Sequence, residues 1–474
     1  MSQPLHRVLG LVALCIGLLS AGPLAALTGT ASPTITMRDG SVLRTNVKVP
    51  LSELNVPVPS FARQTNLPCN VCHTSFPQLT AFGRAFKLNG YTMVGMKQVK
   101  TQGQGPGSLA LDEIPPVSAM AQATMTNVAR TVPGTQNNTA AFPQEFSLFV
   151  GEAITPHIGT FIQFTYAAAD GSFGWDNAEI RYATHMQLDS KPLTFGLTLN
   201  NNPTMQDVWN STPAWSYPFA GSEAAPGPNA APIISDALAQ QVVGLGAYAF
   251  WNNTVYLELT GYRSAPQGAP SPANVLSEGT INGLTPYWRL AVTRSFGQQS
   301  LEVGTFGLAS RIFPTGISGP TDHYTDVGLD AQYQRPMATS VLTARGSWIH
   351  EKQMLDASFA AGDAANPTNS LNTFNINGTL LLDRGLGFTA GVFATSGTAD
   401  TGLYPADPTD GSATGSPNSN GFIGQFDFDP WQNTRIALQY VLYNKFNGGS
   451  ANYDGTGRNA SNNDTLFLMA WLVF

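Results

Sequence analysis

The sequence is poor in charge, since Asp, Glu, Lys and Arg together make up 11% of its 474 residues and the net charge is −7. Soluble domains average about 25% charged residues, so this composition argues against a chain built only of ordinary soluble domains. The sequence also lacks clusters of Lys and Arg, which argues against nucleic acid as a partner. No apolar run of about 20 residues follows residue 26, so no transmembrane helix is predicted there.

Cysteine is scarce as well, with only Cys15, Cys69 and Cys72 in the whole chain. Cys15 lies in an apolar run that Arg7 precedes and that a stretch of small residues with a proline follows. This layout is typical of a secretory signal peptide. We therefore predict a signal peptide over residues 1–26 and export of the protein to an oxidising compartment.

The two other cysteines belong to the pentapeptide Cys69, Asn70, Val71, Cys72 and His73. A Cys-x-x-Cys-His sequence is the attachment site of a c-type haem: the thiols bind the vinyl groups, and the histidine becomes an axial iron ligand. A thioredoxin-like pair is disfavoured because no βαβ pattern surrounds the motif. A zinc site would need two further Cys or His ligands nearby, and the sequence offers only the motif histidine. Because the motif occurs once, we predict one covalently bound c-type haem.

Alternation of apolar and polar residues with period 2 is the dominant pattern from about residue 119 onward. In one clear example Leu193, Phe195 and Leu197 alternate with threonine and glycine. Sixteen segments of about ten residues predict an all-β fold, a sixteen-stranded antiparallel transmembrane β-barrel over residues 119–474. The predicted strands are 119–130, 145–154, 157–168, 177–187, 193–200, 241–251, 254–263, 286–295, 299–309, 323–334, 338–349, 371–382, 386–396, 420–429, 432–443 and 464–474.

The predicted connections alternate between tight turns, such as 252–253, and long loops rich in Gly, Pro, Asn and Ser, such as 201–240. Bacterial outer-membrane barrels have short periplasmic turns and long extracellular loops. A soluble β-sandwich would need charged outward faces, whereas one face of each predicted strand is largely apolar. Charges on the opposite faces, among them Glu179, Arg181 and Arg289, are predicted to line a wet lumen, because a lipid-facing charge costs about 2–4 kcal/mol at the midplane.

Residues 27–118 are predicted to form a small, mainly helical monohaem cytochrome c segment with a linker. Directly after the motif, Leu79, Phe82 and Phe86 share one helical face, and an Asn-Gly pair ends the helix. We expect this helix to pack on the haem, and the segment to complete its burial in or against the barrel mouth. Arg84 is a candidate partner of the haem propionates together with the next basic residue of the helix, although a solvated helix face explains both equally well.

The distal haem ligand stays open. Met93 and Met96 follow His73 by 20 and 23 residues, and a thioether opposite histidine raises the potential of the iron. An ordinary apolar contact explains each methionine equally well. His185, which the alternation places on the lumen face near a short turn, is a weaker candidate, and His157 is expected to be structural.

The stretch 61–91 resembles the fused outer-membrane cytochrome–porins of iron-oxidising bacteria. The resemblance is carried by residues 61–65 (FARQT), the haem motif and residues 77–91 (PQLTAFGRAFKLNGY). In that family a monohaem cytochrome segment precedes a sixteen-stranded porin, and the protein accepts electrons from extracellular Fe(II). The resemblance implies covalent haem at Cys69 and Cys72 and axial ligation by His73.

The resulting hypothesis is an electron-transfer protein of the bacterial outer membrane, with extracellular Fe(II) as donor and a periplasmic cytochrome c as acceptor. Three alternatives stay open: an electron conduit that works outward to external acceptors, a haem-plugged solute porin, and a haem enzyme such as a peroxidase. Acidic loop residues such as Asp400, Asp407 and Asp410 are candidates to attract Fe²⁺, although such residues usually form solvated turns.

Overall fold

The computed structural model describes residues 59–93, 116–235, 237–264, 279–383 and 385–474, and four short strands between residues 30 and 50. The predicted signal peptide and Met96 lie outside these residues. Within the described ranges, no helix has the length and apolar character needed to cross a bilayer.

The regular elements are mostly strands. The helices are α1 Ser60–Thr65, α2 Cys69–Cys72, α3 Ala81–Leu88 and α4 Asp356–Ala361, and 3₁₀ turns lie at Pro213–Trp215 and Ala460–Asn463. The strands are β1 Thr30–Ala31, β2 Thr34–Thr36, β3 Val42–Arg44, β4 Val49–Pro50, β5 His73–Ser75, β6 Gln78–Leu79, β7 Val117–Val128, β8 Thr139–Ala141, β9 Glu145–Ala153, β10 Ile158–Ala167, β11 Ser172–Leu188, β12 Lys191–Asn200, β13 Val242–Trp251, β14 Val255–Ser264, β15 Thr280–Ile281, β16 Thr285–Phe296, β17 Gln299–Phe313, β18 Asp322–Pro336, β19 Ser340–Met354, β20 Thr368–Leu382, β21 Leu386–Gly397, β22 Ser419–Trp431, β23 Thr434–Lys445 and β24 Thr465–Val473.

Sixteen of these strands close into one antiparallel barrel: β7, β9 to β14 and β16 to β24. The barrel closes where β24 pairs with β7, with Thr465 opposite Val128 and Val473 opposite Met120. Closure leaves no strand edge with unpaired backbone groups, as lipid requires. The predicted sixteen-stranded barrel is confirmed.

The largest differences from the predicted strand bounds are at β11, which begins at Ser172 instead of residue 177, and at β19, which ends at Met354 instead of residue 349. The connection 168–171 is a tight turn. Strands β10 and β11 stay paired up to this turn, and aromatic side chains contact each other across them. The rings of Phe164 and Trp175 are 4.2 Å apart. Residues 169–176 are rich in Gly and Asp, so alternation alone did not extend the strand this far.

The outer face of the barrel is apolar. Leu245, Leu259 and Val303 expose 67%, 61% and 54% of their surface. Their strand neighbours Glu258 and Glu302 point inward and are 1% exposed. This alternation is that of a lipid-facing barrel wall.

The lumen is filled, so the predicted wet lumen is wrong for the charged residues at its centre. Arg181 and Arg289 expose none of their surface. Two segments cover them: residues 59–93, which we call the plug, and residues 201–235 between β12 and β13, which we call the inner loop. The plug lies near the barrel end that carries the short turns, and the inner loop folds inward from the opposite end.

Candidate haem site

The first helix of the plug is bound to the barrel wall. Ser60 Oγ and Gln64 Nε2 both donate to the carbonyl oxygen of Gly151 on β9, each at 2.7 Å. Arg63 Nη2 donates to the carbonyl oxygen of Val117 on β7 at 2.6 Å. These contacts hold α1 beside the haem motif against the wall.

The haem motif forms one helical turn followed by an extended residue. Cys69 and Cys72 are three positions apart in α2, so their side chains lie on the same face of this helical turn. They are not joined in a disulfide. Burial raises the pKa of Cys72 to about 12, and the charge of Cys69 adds to this effect. His73 ends the helix with the extended backbone angles φ −122° and ψ 135°.

Helix α3 begins directly against this turn. Thr80 donates from its backbone nitrogen to Cys72 O at 2.9 Å and from Oγ1 to Val71 O at 2.6 Å. Thr80 Oγ1 also caps α3 by accepting the Gly83 N–H at 3.1 Å. A Cβ added at Gly83 would lie well under 3.0 Å from Cys72 O. The helix therefore approaches the motif backbone at a distance that only glycine permits.

Gly83→Ala is expected to lower the fraction of protein that carries covalent haem. Helix propensity alone would favour alanine by about 1 kcal/mol, but the added methyl group must displace the Cys72 carbonyl, at an overpacking cost of about 1–3 kcal/mol. The measurement is the ratio of haem absorbance to protein. Gly424→Ala is the control, because no atom lies within 4 Å of its added Cβ. Unchanged haem content in Gly83→Ala would contradict this packing.

His73 is half-buried. Its Nδ1 atom is buried without a hydrogen-bond partner. Burial lowers the pKa of His73 to about 4, and the charge of Arg435 acts in the same direction. The imidazole is thus neutral near pH 7, the state in which histidine binds metals. The ring of Phe76 packs beside it, with 5.2 Å between centroids.

An apolar cluster surrounds the motif. Val71, Phe82, Phe86 and Tyr91 expose between 1% and 6% of their surface, and Cys72 packs against them. Met93, at 9% exposed, belongs to the same cluster. The structure therefore brings one of the two candidate distal ligands to the haem motif, and ligation by Met93 stays a prediction, as it does for Met96.

The other two candidate histidines lie on the barrel wall. His157 Nδ1 is 3.0 Å from the carbonyl oxygen of Ala183, the structural contact expected of a turn residue. His185 lies on β11, and its Nδ1 is 3.2 Å from Thr194 Oγ1 on the adjacent strand. Neither contact involves the plug.

Arg84 and Lys87 of α3 are buried, so of the two interpretations left open the solvated helix face is wrong, and pairing with haem propionates stays a prediction. Arg84 Nη1 donates to Gln332 Oε1 at 3.2 Å and to Gln334 Oε1 at 3.1 Å, both on β18. Lys87 Nζ donates to the carbonyl oxygens of Met205 at 2.6 Å and Asp207 at 2.9 Å in the inner loop. Burial lowers the pKa of Arg84 to about 10 and that of Lys87 to about 8.

Other plug contacts reach the opposite walls of the barrel. Tyr91 OH donates to Glu179 Oε2 on β11 at 2.6 Å. Gln78 Oε1 accepts from Arg345 Nη2 on β19 at 2.8 Å, and Ser75 contacts Arg435 on β23. The plug therefore spans the lumen from β11 to β23.

The inner loop covers the plug on its other side. Asn210 Oδ1 accepts the backbone N–H of Leu79 at 3.0 Å. The loop is itself fixed to the wall, since Asp207 lies 3.4 Å from Arg289, which also pairs with Asp330 at 2.7 Å. The buried charges of this polar layer pair with one another, and this pairing offsets the cost of removing them from water. This layer was not predictable from the sequence, because alternation places a charge on the lumen face without identifying its partner.

The acidic loop residues do not gather into a metal site. Across the described ranges there is no group of three or more His, Cys, Asp or Glu side chains that could hold a metal ion. Asp400 accepts backbone N–H groups of Ala365 at 2.8 Å and Leu403 at 3.1 Å. Burial alone would raise the pKa of Asp400, but these hydrogen bonds outweigh it and lower the pKa to about 2. Asp400 thus organises a loop.

The residues of the motif fit a c-type haem. Two thiols on one helical turn would supply the attachment points, and His73, with a buried and unpartnered ring nitrogen, would supply an axial ligand. The apolar cluster would surround the bound group with apolar side chains. Cys69, Cys72 and His73 are the residues that would hold the group.

Comparison with solved structures finds outer-membrane barrels among the similar chains. No protein-family model matches the sequence, and no curated protein matches it significantly. The outer membrane channel DcaP of Acinetobacter baumannii is similar over 76% of this chain and 96% of its own, with 12% identity and a TM-score of 0.43. In vitro folded OmpT of Vibrio cholerae matches over 76% and 96%, with 10% identity and a TM-score of 0.41. Salmonella typhi OmpF in complex with daunomycin matches over 76% and 97%, with 10% identity and a TM-score of 0.41.

Proposed function

We propose that this protein is an electron-transfer protein of the bacterial outer membrane that carries one covalently bound c-type haem. It oxidises extracellular Fe(II) and passes the electrons to a periplasmic cytochrome c. The observation that carries the proposal is the position of the motif Cys69 to His73, inside a closed barrel whose outer wall is apolar. When bound, the haem supplies one-electron chemistry.

The residues of the chain fix this centre in the lumen. Cys69 and Cys72 would hold the haem covalently, and His73 would ligate its iron. Arg84 and Lys87 fasten the plug to the wall and to the inner loop. The filled lumen separates a donor outside the cell from an acceptor in the periplasm, so electrons cross the membrane while solutes do not.

Fe(II) is the donor that the resemblance to cytochrome–porins implies. Its ferric product precipitates near neutral pH, so oxidation outside the cell keeps the precipitate out of the periplasm. The proposed step is outer-sphere, so it needs no side-chain ligand on the Fe(II). A haem held by Cys69, Cys72 and His73 would supply the one-electron couple that takes the electron of Fe(II) and gives it to the periplasmic acceptor.

We expect ferric haem in the purified protein to be reduced when it is mixed with Fe(II) in a stopped-flow spectrometer. The rate should rise with Fe(II) concentration, as in a bimolecular outer-sphere step. Zn(II) is the control because it has the same charge and no accessible redox change. Ferric haem that stays unreduced in excess Fe(II) would contradict the proposal.

The direction of electron flow depends on the haem potential. A thioether ligand opposite His73 raises this potential, and Met93 lies in the same apolar cluster as the motif. A measured midpoint potential high enough to accept electrons from Fe(II) supports inward flow. A strongly negative value would favour the outward conduit.

A further inference from the structure

A chamber of about 440 Å³ lies in the long-loop half of the lumen, between the inner loop and the inner faces of β19 to β24. Its volume is in the range of small-molecule sites, about 300–1,000 Å³. The haem motif is at the other end of the barrel, and none of the described plug residues lines the chamber. The chamber is therefore separate from the haem site.

Among the described residues that line the chamber, none carries a charged side chain. This differs from the neighbouring lumen, where Arg289, Asp207 and Asp330 form a buried ionic layer. The polar lining groups are hydroxyls and amides, and aromatic rings lie among them. The amides and aromatics are Asn375, Asn377, Gln439, Tyr217, Phe393 and Tyr443.

Asn377, which lines this chamber, has a hydrogen-bond acceptor without a donor. The residue is 6% exposed, and its Oδ1 atom is buried without a partner. Gln439, by contrast, donates to the carbonyl oxygen of Ala220 at 3.1 Å and to Gln425 Oε1 at 2.9 Å. A buried acceptor without a donor costs about 1–3 kcal/mol, so a ligand that donates to Asn377 relieves this cost.

We propose that the chamber binds a small uncharged ring compound that carries hydroxyl groups. One ligand hydroxyl donates to Asn377 Oδ1, and the ring packs against the aromatic lining. A charged ligand is rejected because it would lose its hydration without meeting an opposite charge. A sugar and a hydroquinone share this chemistry, and the inference holds whether or not the proposed redox function does.

The test is isothermal titration of the purified, haem-loaded protein, kept in the ferrous state so that hydroquinone exchanges no electrons with it. The probes are glucose, hydroquinone and two charged ring analogues of glucose, glucuronate and glucosamine. We expect at least one neutral probe to bind and both charged analogues to bind much more weakly. Asn377→Leu should weaken binding of the neutral probe about three- to tenfold, as expected for one neutral hydrogen bond.

Asn127→Leu is the matched control, since Asn127 bonds Asn138 at an exposed position of β7 and does not line the chamber. Thr373→Trp, which fills the chamber from β20, should abolish binding even if Asn377→Leu folds poorly. Binding of glucose alone identifies a carbohydrate site, and binding of hydroquinone alone identifies a phenolic site. The inference is overturned if neither neutral probe binds, if charged analogues bind equally well, or if neither chamber variant affects binding.

Discussion

Replacement of both motif cysteines, Cys69→Ser together with Cys72→Ser, is expected to remove covalent haem from the protein completely. A serine hydroxyl does not form the thioether bond that holds a c-type haem. Haem staining of a denaturing gel should show one labelled band for the unaltered protein and none for the variant. The pyridine haemochrome assay should fall from one haem per chain to zero.

Barrel assembly must be checked in the same samples, because Cys72 packs against the apolar cluster of the plug. Heat-modifiable migration on a gel reports a closed barrel independently of haem. The variant Cys69→Ala with Cys72→Ala is a second control, because it keeps the apolar character of both positions. Covalent haem in either assembled double variant would show that the motif is not the attachment site.

His73→Gly separates ligation from attachment. The thioether bonds are expected to persist, so haem should still stain on a denaturing gel, while the visible spectrum changes because the iron has lost an axial ligand. Added imidazole should restore the original spectrum by occupying the space that the side chain leaves. A variant spectrum identical to the original would exclude His73 as the ligand.

The barrel was largely predictable because its strands obey a strong local rule. One face of each strand meets lipid and the other meets the lumen. Apolar and polar residues therefore alternate with period 2 in nearly every strand. Leu259 and Glu258 show this rule in adjacent positions, at 61% and 1% exposed. The hairpin end at residues 169–176 did not follow the rule, because it is held by aromatic pairing beyond the alternating part of β11.

The haem motif was equally predictable because its residues are contiguous in the sequence. The residues that surround it come from distant parts of the chain. Alternation correctly placed Arg181 and Arg289 on the inner face. The alternation pattern of a strand is the same, however, whether water or protein fills the lumen. The partners that decide between these states are far away in sequence, as for Arg84 and Gln332, which are 248 positions apart. Loop residues 201–235 carry no periodic signal, so the inner loop and its chamber could be found only in three dimensions.

Loosening of the plug is expected to turn a sealed barrel into a conducting one. In Arg84→Ala with Lys87→Ala, the plug loses its buried donors to β18 and to the inner loop. Hydrogen bonds of charged groups contribute about 1.5–3 kcal/mol each, so the two losses together make displacement of the plug about two to four orders of magnitude more frequent. In planar bilayers the unaltered protein should be silent, and the double variant should show discrete channel openings.

The control for this experiment is Arg294→Ala with Lys191→Ala, which removes the same two residue types from exposed positions near the short turns. It should stay silent, since neither side chain contacts the plug in the described structure. Liposome swelling with sugars distinguishes the electron conduit from a haem-plugged solute porin. A conduit passes sugar only in the loosened variant, because Arg84 and Lys87 hold the plug across the lumen. Sugar passage through the unaltered protein would instead mean that the plug opens in normal function, and the solute-porin alternative would then be the better account.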